Sequence, residues 1–339
     1  MPKFDSKTWN DKVFQKYLRK AESSKENALI KSNIFDEKNN AMARLLDENV
    51  GGNYIVEPIK GVLNGDVQNY DGVESLTATS RDTFEQGKII VGRMKAWEEK
   101  DFSTDISGED YMPMAQEVRE YYDGVNQDDL LAIFEGIFAM TDEGSKEFVE
   151  KHTLQADKLG ATTINKAITK ACGAKKNKFK MVFANSVAIE PLEELQLIDF
   201  LKYTDAQGIT RDLTIGQYNG KLIVVDDAVP ADVVYIVGEK FIEHDNVGAK
   251  VPSELVRDAM TNGGKDILAT RERNLYAPKY ISFTKASMKS NSPKIDELKN
   301  GANWAVVNNG SADEKKYIDH RLIPIARIVL SGADETLEN

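Results

Sequence analysis

The chain has 339 residues, of which 41% are hydrophobic and 8% aromatic, enough to bury a real core as one domain with insertions or as two lobes. Its formal charge of -11, from 44 Lys and Arg against 55 Asp and Glu, argues against generic attraction to nucleic acid or anionic membrane. Cys172 is the single cysteine, which excludes an intrachain disulfide, and no stretch approaches the roughly 18 to 20 apolar residues of a membrane span.

Residues 1–48 read as a helical arm with a thin apolar stripe: Trp9, Val13 and Tyr17, then Phe14, Leu18 and Ala21, and later Ile30, Ile34, Leu45 and Leu46. Its middle, ESSKENALIKSN, is too polar for continuous burial, and Gly51-Gly52 stops it as a glycine C-cap does. The first twenty residues carry Lys3, Lys7, Lys12, Lys16, Arg19 and Lys20 against Asp5 and Asp11, a local positive balance whose plain reading is a solvated helix face. The next segment, residues 53–95, is strand-like at both ends with a link dense in turn formers, VLNGDVQNYDG. Pro58 predicts an edge strand. With few large apolar residues beyond Tyr54, Ile55, Val56, Ile59, Val62 and Leu63, such a two-stranded ribbon must lie on something to be stable.

Residues 106–140 are predicted to form one long amphipathic helix. Tyr111, Ala115, Val118, Tyr122 and Val125 recur at steps of four and three; the stripe resumes at Leu130, Phe134, Ile137 and Phe138, while Glu117, Glu120, Asp123, Asp128 and Asp129 occupy wet faces. Ser107 with Asp110 has capping-box spacing, and Pro113 falls in the first turn. After a polar connection over residues 142–159, TTINKAITKACGA predicts a helix with Ile164, Ala167, Ile168 and Ala171 on one side, Thr162 or Thr163 as N-cap, and Cys172 as a small buried residue. Lys175, Lys176, Lys178 and Lys180 follow; without aromatic interleaving or a phosphate-loop pattern they read as a solvated turn.

From Lys180 short apolar strands alternate with helical pattern. KMVFAN, KLIVVDD and VVYIVG are central-strand runs, VAIEPLEELQLIDFLKY after Ser186 is helical, and Asn219-Gly220 is a turn. Asp226-Asp227 is not a catalytic pair, because adjacent strand residues point to opposite faces. Residues 254–270 predict a helix broken at Asn262-Gly263-Gly264, followed by the strand APKYISFT, a short helix running into a strand in IDELKNGANWAVV, the last strand LIPIARIVL, and a frayed acidic tail. His152, His244 and His320 lie far apart without ligand spacing, so no metal or cofactor is expected.

The wording of three segments goes beyond periodicity. ISGED, a Met-Ala pair, paired tyrosines, LLAI and a closing GIFAM resemble the spine helix of tailed-phage major capsid proteins with the Hong Kong 97 fold; IIVGRMKAWEEKDFSTDISG before it and YNGKLIVVDDAVP after it resemble the same family in the same order. The resemblance runs from about residue 53 to residue 330. It implies an α+β fold with an N-terminal arm (1–52), an extended β-hairpin loop (53–95), a peripheral domain with the spine helix (96–180), an axial domain (181–270) and a return to the peripheral domain (271–339). It implies a structural protein without catalytic site or cofactor, which self-assembles into pentamers and hexamers of an icosahedral shell around double-stranded DNA.

Implied partners are copies of the chain itself, scaffolding and portal proteins, and packaged DNA held by weak non-specific contact, with no membrane; the location is the virion, after assembly in the host cytoplasm. Candidate inter-subunit contacts are Trp9, Tyr17, Tyr54, Ile55, Val56, Ile59, Lys60, Asp226 and Asp227. The lysine-rich arm is then expected to face an acidic scaffold or DNA. Some family members crosslink a hairpin lysine to an asparagine of another subunit; Lys60 is suitably placed, but no acceptor matches, and no crosslink is expected. Alternatives are the shell of a non-viral nanocompartment of the same fold, or a hydrolase with a dispersed acidic site.

Overall fold

The computed structural model describes residues 27–36, 53–63, 65–70, 75–76, 78–107, 115–195, 198–204, 210–311 and 315–331. Its helices are α1 (Ala28–Lys31), α2 (Asp101–Ser107), α3 (Ala115–Phe138), α4 (Glu143–His152), α5 (Thr163–Cys172), α6 (Ser186–Glu194) and α7 (Ile295–Lys299). Its strands are β1 (Phe35–Asp36), β2 (Tyr54–Lys60), β3 (Thr83–Lys100), β4 (Thr153–Ala156), β5 (Phe179–Ala184), β6 (Asp199–Thr204), β7 (Thr210–Tyr218), β8 (Lys221–Val225), β9 (Val233–Gly238), β10 (Ile242–Asn246), β11 (Ser253–Asp258), β12 (Lys265–Pro278), β13 (Ile281–Phe283), β14 (Trp304–Val306) and β15 (Ile325–Leu330).

By contacts the chain divides into two compact units. The larger comprises Asn27–Gly92, Tyr122–Gly248 and Arg273–Asn339. Its seven-stranded sheet has the order β4-β15-β9-β5-β8-β7-β6, with β5 parallel to β8 and β4 parallel to β15. Both faces of this sheet are covered, which explains the uninterrupted apolar runs of β5, β8 and β9. Met181 and Phe183 alternate to one side with Tyr235 and Val237, where they share a core with Phe134, Ile137 and Phe138 of α3. Val182, Ala184, Val234 and Ile236 face the other side, against Ile164, Ala167, Ile168 and Cys172 of α5 and Ala188, Ile189 and Leu192 of α6. Asn185 caps α6 by accepting from the Val187 amide at 3.0 Å. The turn between β7 and β8 is built by Asn219 (φ 48°) and Gly220 (φ 73°), as the dipeptide predicts.

Several expectations need correction. Of the helix expected over residues 106–140, Ile106 and Ser107 lie in α2 and Ala115–Phe138 form α3; residues 108–114, with the partner Asp110 of the expected cap and Pro113, lie outside the described residues. Asp129, expected on a wet face, is buried. The helical reading after Ser186 ends at Glu194, and β6 follows, paired with β7. Thr162 occupies the N-cap position of α5 without a side-chain bond; Thr163 Oγ1 instead accepts from the Gly160 amide at 3.0 Å.

Residues 254–270 form no helix. They are the antiparallel hairpin β11–β12, registered from Ser253 opposite Thr270 to Asp258 opposite Lys265. Asn262, Gly263 and Gly264 take φ of 56°, 81° and 109°, a left-handed path that closes a turn and no helix can follow.

The ribbon of residues 53–95 is also not free along its length. β2 pairs with β3 and is an edge strand, as Pro58 demands, but β3 lies between β2 and β12 and buries Ile89, Ile90 and Val91. Those three aliphatic residues supply what the ribbon appeared to lack. The described part of the arm is likewise an internal element of the larger unit: Leu29 and Ile34 are fully buried in the main core, and β1 pairs in parallel with β10.

The smaller unit has described residues from Arg93–Tyr121 and Ala249–Glu272. Here β11 pairs with the first half of β12, and the Thr270 hydroxyl donates to the Lys95 carbonyl at 3.2 Å. Among its described residues only Gly264 and Thr270 are buried, and no apolar side chain is.

Candidate interaction surfaces

Asp226 and Asp227 leave the end of β8 in opposite directions. Asp226 is buried and accepts three hydrogen bonds within its own unit: from the Ala28 amide at 2.8 Å, from Gln127 Nε2 at 3.0 Å and from the Ala228 amide at 2.9 Å. It therefore ties the arm to α3. Asp227 is exposed and accepts from the Ser186 amide at 3.2 Å and hydroxyl at 2.6 Å, securing the first residue of α6. The pair is structural rather than convergent.

The other predicted contact residues divide by exposure. Tyr54 is half-buried, with Lys285 Nζ 4.1 Å from its ring centroid, and burial raises its phenol pKa. Ile55 packs with Ile90 and Leu275. Val56 and Lys60 are exposed on the outer edge of β2, with Ile59 partly covered. Trp9 and Tyr17 lie outside the described residues.

Beyond β2, the described residues between 61 and 82 belong to no helix or strand. The base is pinched: the Gly61 amide donates to the Asp82 carbonyl at 2.8 Å, and Arg81 Nε donates to the Gly61 carbonyl at 2.5 Å. Past that neck Val62, Leu63, Val67, Tyr70 and Leu76 are exposed, Val67 and Tyr70 essentially completely. Scattered exposed apolar residues are ordinary, but five in one excursion mark an unfilled contact.

The smaller unit presents a second such surface. Met94, Phe102, Ile106, Val251, Leu255, Val256 and Met260 are all exposed. Its cohesion is polar instead. Arg257 bonds both carboxylate oxygens of Asp101 and reaches Asp266 at 3.1 Å, Lys265 meets Glu98 at 2.9 Å, and Trp97 packs edge-on to Tyr121. The hydrogen bonds to Arg257 and Lys265 depress the pKa values of Asp101 and Glu98. Exposed ion pairs of this kind are screened by solvent, so they orient the hairpin more than they stabilise it.

Three features escape sequence reading because their parts are distant along the chain. Lys88 is fully buried and pairs with both Glu57, at 2.5 Å, and Glu243. His152, at the end of α4, sits against His320: His152 Nδ1 faces the Ile325 carbonyl at 2.5 Å, so that nitrogen carries the proton, and Nε2 accepts from His320 Nδ1 at 3.1 Å. Burial holds the His152 pKa down at about 4 and lowers that of His320 as well. Lys221 of β8 joins the lysine turn at the start of β5, since Lys180 neighbours it in the parallel register. Among the described residues no group of three or more His, Cys, Asp or Glu is placed to hold a metal ion, and no helix is long and apolar enough to cross a membrane. Cys172 is buried, which raises its thiol pKa.

No family model matches the chain. The major capsid protein of Bacillus phage SPP1 is 25% identical over 297 residues, covering 85% of this chain and 88% of that protein. Among solved structures, the cyanophage Pam1 capsid asymmetric unit superposes with a TM-score of 0.55 at 9% identity, covering 99% of this chain and 100% of that one. The chain has the Hong Kong 97-type phage capsid fold. A structure from Mycobacterium phage Adephagia agrees, with a TM-score of 0.50 at 9% identity over 94% of this chain and 96% of that one. Within this capsid fold the α+β character expected from the sequence is realised, among the described residues, by sheets of six, two and seven strands and the α3 spine.

Proposed function

We propose that the chain is the major capsid protein of a tailed phage, a structural and non-enzymatic subunit of the virion shell. The observation that carries this reading is the smaller unit without a buried apolar side chain among its described residues. A sheet whose apolar residues stay wet gains little from the hydrophobic effect, the dominant favourable term in folding. In a shell, neighbouring copies cover such surfaces, and the excursion over residues 61–82 is a further surface of the same kind. The SPP1 relative, a major capsid protein over most of its length, supports the same assignment.

The finer organisation follows from symmetry. Heterologous contacts around closed axes give pentamers and hexamers, and weak ties between them yield a stable shell by multivalency. Val56, Ile59, Lys60 and the excursion form one inter-capsomer contact, with Trp9 and Tyr17 of the arm in another. Tyr54, Ile55, Asp226 and Asp227 support these contacts from within the subunit. Scaffolding and portal proteins accompany assembly in the host cytoplasm, and double-stranded DNA fills the shell with weak, non-specific contact to its wall.

Negative-stain microscopy of the purified protein across ionic strengths tests the assignment. Rings or closed shells are the expected outcome. A solitary, compact chain that resists proteolysis along its amino-terminal third at high concentration overturns it.

A further inference from the structure

The seven-stranded sheet of the larger unit is electrically polar along its strands. At one end, Lys175, Lys176 and Lys178 precede β5, Lys180 lies at its second residue, and Lys221 begins β8 beside Lys180. Lys221 is buried, and desolvation together with Lys180 and Lys176 lowers its pKa; Lys178 is lowered by desolvation and Lys175. No ion pair engages any of these five lysines among the described residues: Lys178 donates only to the Arg321 and Leu322 carbonyls, at 3.4 and 3.3 Å, and Lys221 to that of Asn219 at 3.5 Å. Arg321 adds to the positive charge there, and Asp319 and Glu239 only partly offset it.

The opposite end is acidic. Asp157 follows β4, Asp227 follows β8 and Asp232 precedes β9, all three exposed, with Lys158 the cation beside them. These connections are held together: the Leu330 amide donates to the Asp232 carbonyl at 2.7 Å, the Ser331 amide to the Ala156 carbonyl at 3.0 Å, and the Ser331 hydroxyl to Asp157 at 2.9 Å. A six-residue strand spans roughly 20 Å, well beyond a Debye length of about 8 Å, so the two ends cannot neutralise each other within one copy.

Five lysines without an ion pair among the described residues, Lys221 buried and Lys178 partly so, make this end of a protein of net charge -11 a surface that favours an anionic occupant. We propose that the lysine end of this sheet docks against the Asp157, Asp227 and Asp232 end of the next copy in a closed ring. This rests on the shell reading and assigns one of its heterologous contacts. A head-to-tail ring brings together two different surfaces of the same chain, and here the chain supplies both complements. A nucleic acid occupant is disfavoured by the overall negative charge, which repels a polyanion before it reaches the lysines.

Charge reversal tests the pairing in the full-length chain. Lys176→Glu with Lys180→Glu, and separately Asp157→Lys with Asp232→Lys, should each cut the yield of rings and shells by about tenfold or more. All four substitutions in one chain should restore it. Lys180→Cys with Asp232→Cys, which leaves the remaining charges in place, should give an oxidant-dependent ladder of linked copies on a non-reducing gel. Normal assembly by the lysine reversal, no rescue in the fourfold variant, or no ladder from assembled protein each overturns the proposal. So does a lysine reversal that assembles fully but retains less duplex DNA, which gives the lysines to nucleic acid. Failure of the unmodified protein to form rings or shells overturns the shell reading itself; the other adverse results leave it standing.

Discussion

Asp226 holds three donors from three parts of the chain, the Ala28 amide, the Gln127 amide group and the Ala228 amide, and all three lose that partner if it is removed. Asp226→Ala is expected to destabilise the subunit by about 3 kcal/mol, because three donors around a buried carboxylate lose their acceptor. Asp227→Ala, on an exposed carboxylate beside α6, should cost clearly less, and thermal unfolding of the two variants measures the contrast. The histidine pair sets a pH limit. In the fold His152 titrates at about 4, below the ordinary value of 6.5, so between those values the unfolded chain binds the extra proton. Its contribution is fully present above about pH 6.5 and is lost as pH falls toward 4, with a slope of at most about 1.4 kcal/mol per pH unit. Melting temperatures across that window should fall more steeply for the native chain than for His152→Gln, and equal slopes would remove the pair from any acid response.

At the scale of elements, the C-terminal half of α3 is held by backbone approach as much as by side-chain packing. A Cβ at Gly136 would overlap the Leu298 carbonyl and the Trp304 indole, and one at Gly301 would overlap the Ala139 carbonyl. Gly136→Ala should therefore cost about 1 to 3 kcal/mol despite alanine's better helix propensity, whereas the same change at a solvent-facing helical glycine stabilises. Denaturant unfolding of the variant reads the sign directly. The arm is the second case: Leu29→Ala should cost about 2 to 5 kcal/mol, as a core truncation does, although its sequence neighbourhood is polar.

That polarity explains why the anchor was not legible. Among the described arm residues Leu29 and Ile34 are the fully buried apolar anchors, with Ala28, Ile30 and Phe35 partly covered beside them, and the intervening Lys31, Ser32 and Asn33 mask them in any windowed reading. β5, β8 and β9 were legible because burial on both faces leaves an unbroken apolar run. β11 failed for the opposite reason: Leu255 and Val256 are exposed on successive positions, so no period-2 contrast marks the strand, and only Asn262-Gly263-Gly264 signalled a turn. The segment wording carried the fold further than periodicity did. The candidate contact residues were legible mainly as positions in that fold, because which side chain of β2 faces out depends on β3 being an inner strand.

For the whole molecule, the excursion over residues 61–82 separates subunit stability from shell stability. Its five exposed apolar residues contribute almost nothing to a lone subunit, yet burying Val67, Tyr70 and Leu76 against another copy is worth about 1.5 to 3 kcal/mol per side chain. Repeated around a closed shell, a term of that size decides whether capsomers stay joined. The neck allows it to be removed cleanly, since the Gly61 amide already bonds the Asp82 carbonyl and β2 and β3 remain paired beyond it. Replacing residues 62–81 by a short glycine link should leave folded subunits with a melting temperature close to that of the native chain, and rings or small capsomers should persist. Closed shells should disappear from micrographs and from the fast-sedimenting fraction. Deleting all of residues 53–95 is a poorer test, because it also removes much of β3, an inner strand whose Ile89, Ile90 and Val91 are buried. Normal shells from the shortened chain would show that these side chains stay wet in the assembly. Unfolding of the subunit would instead place them against their own chain, contrary to their exposure.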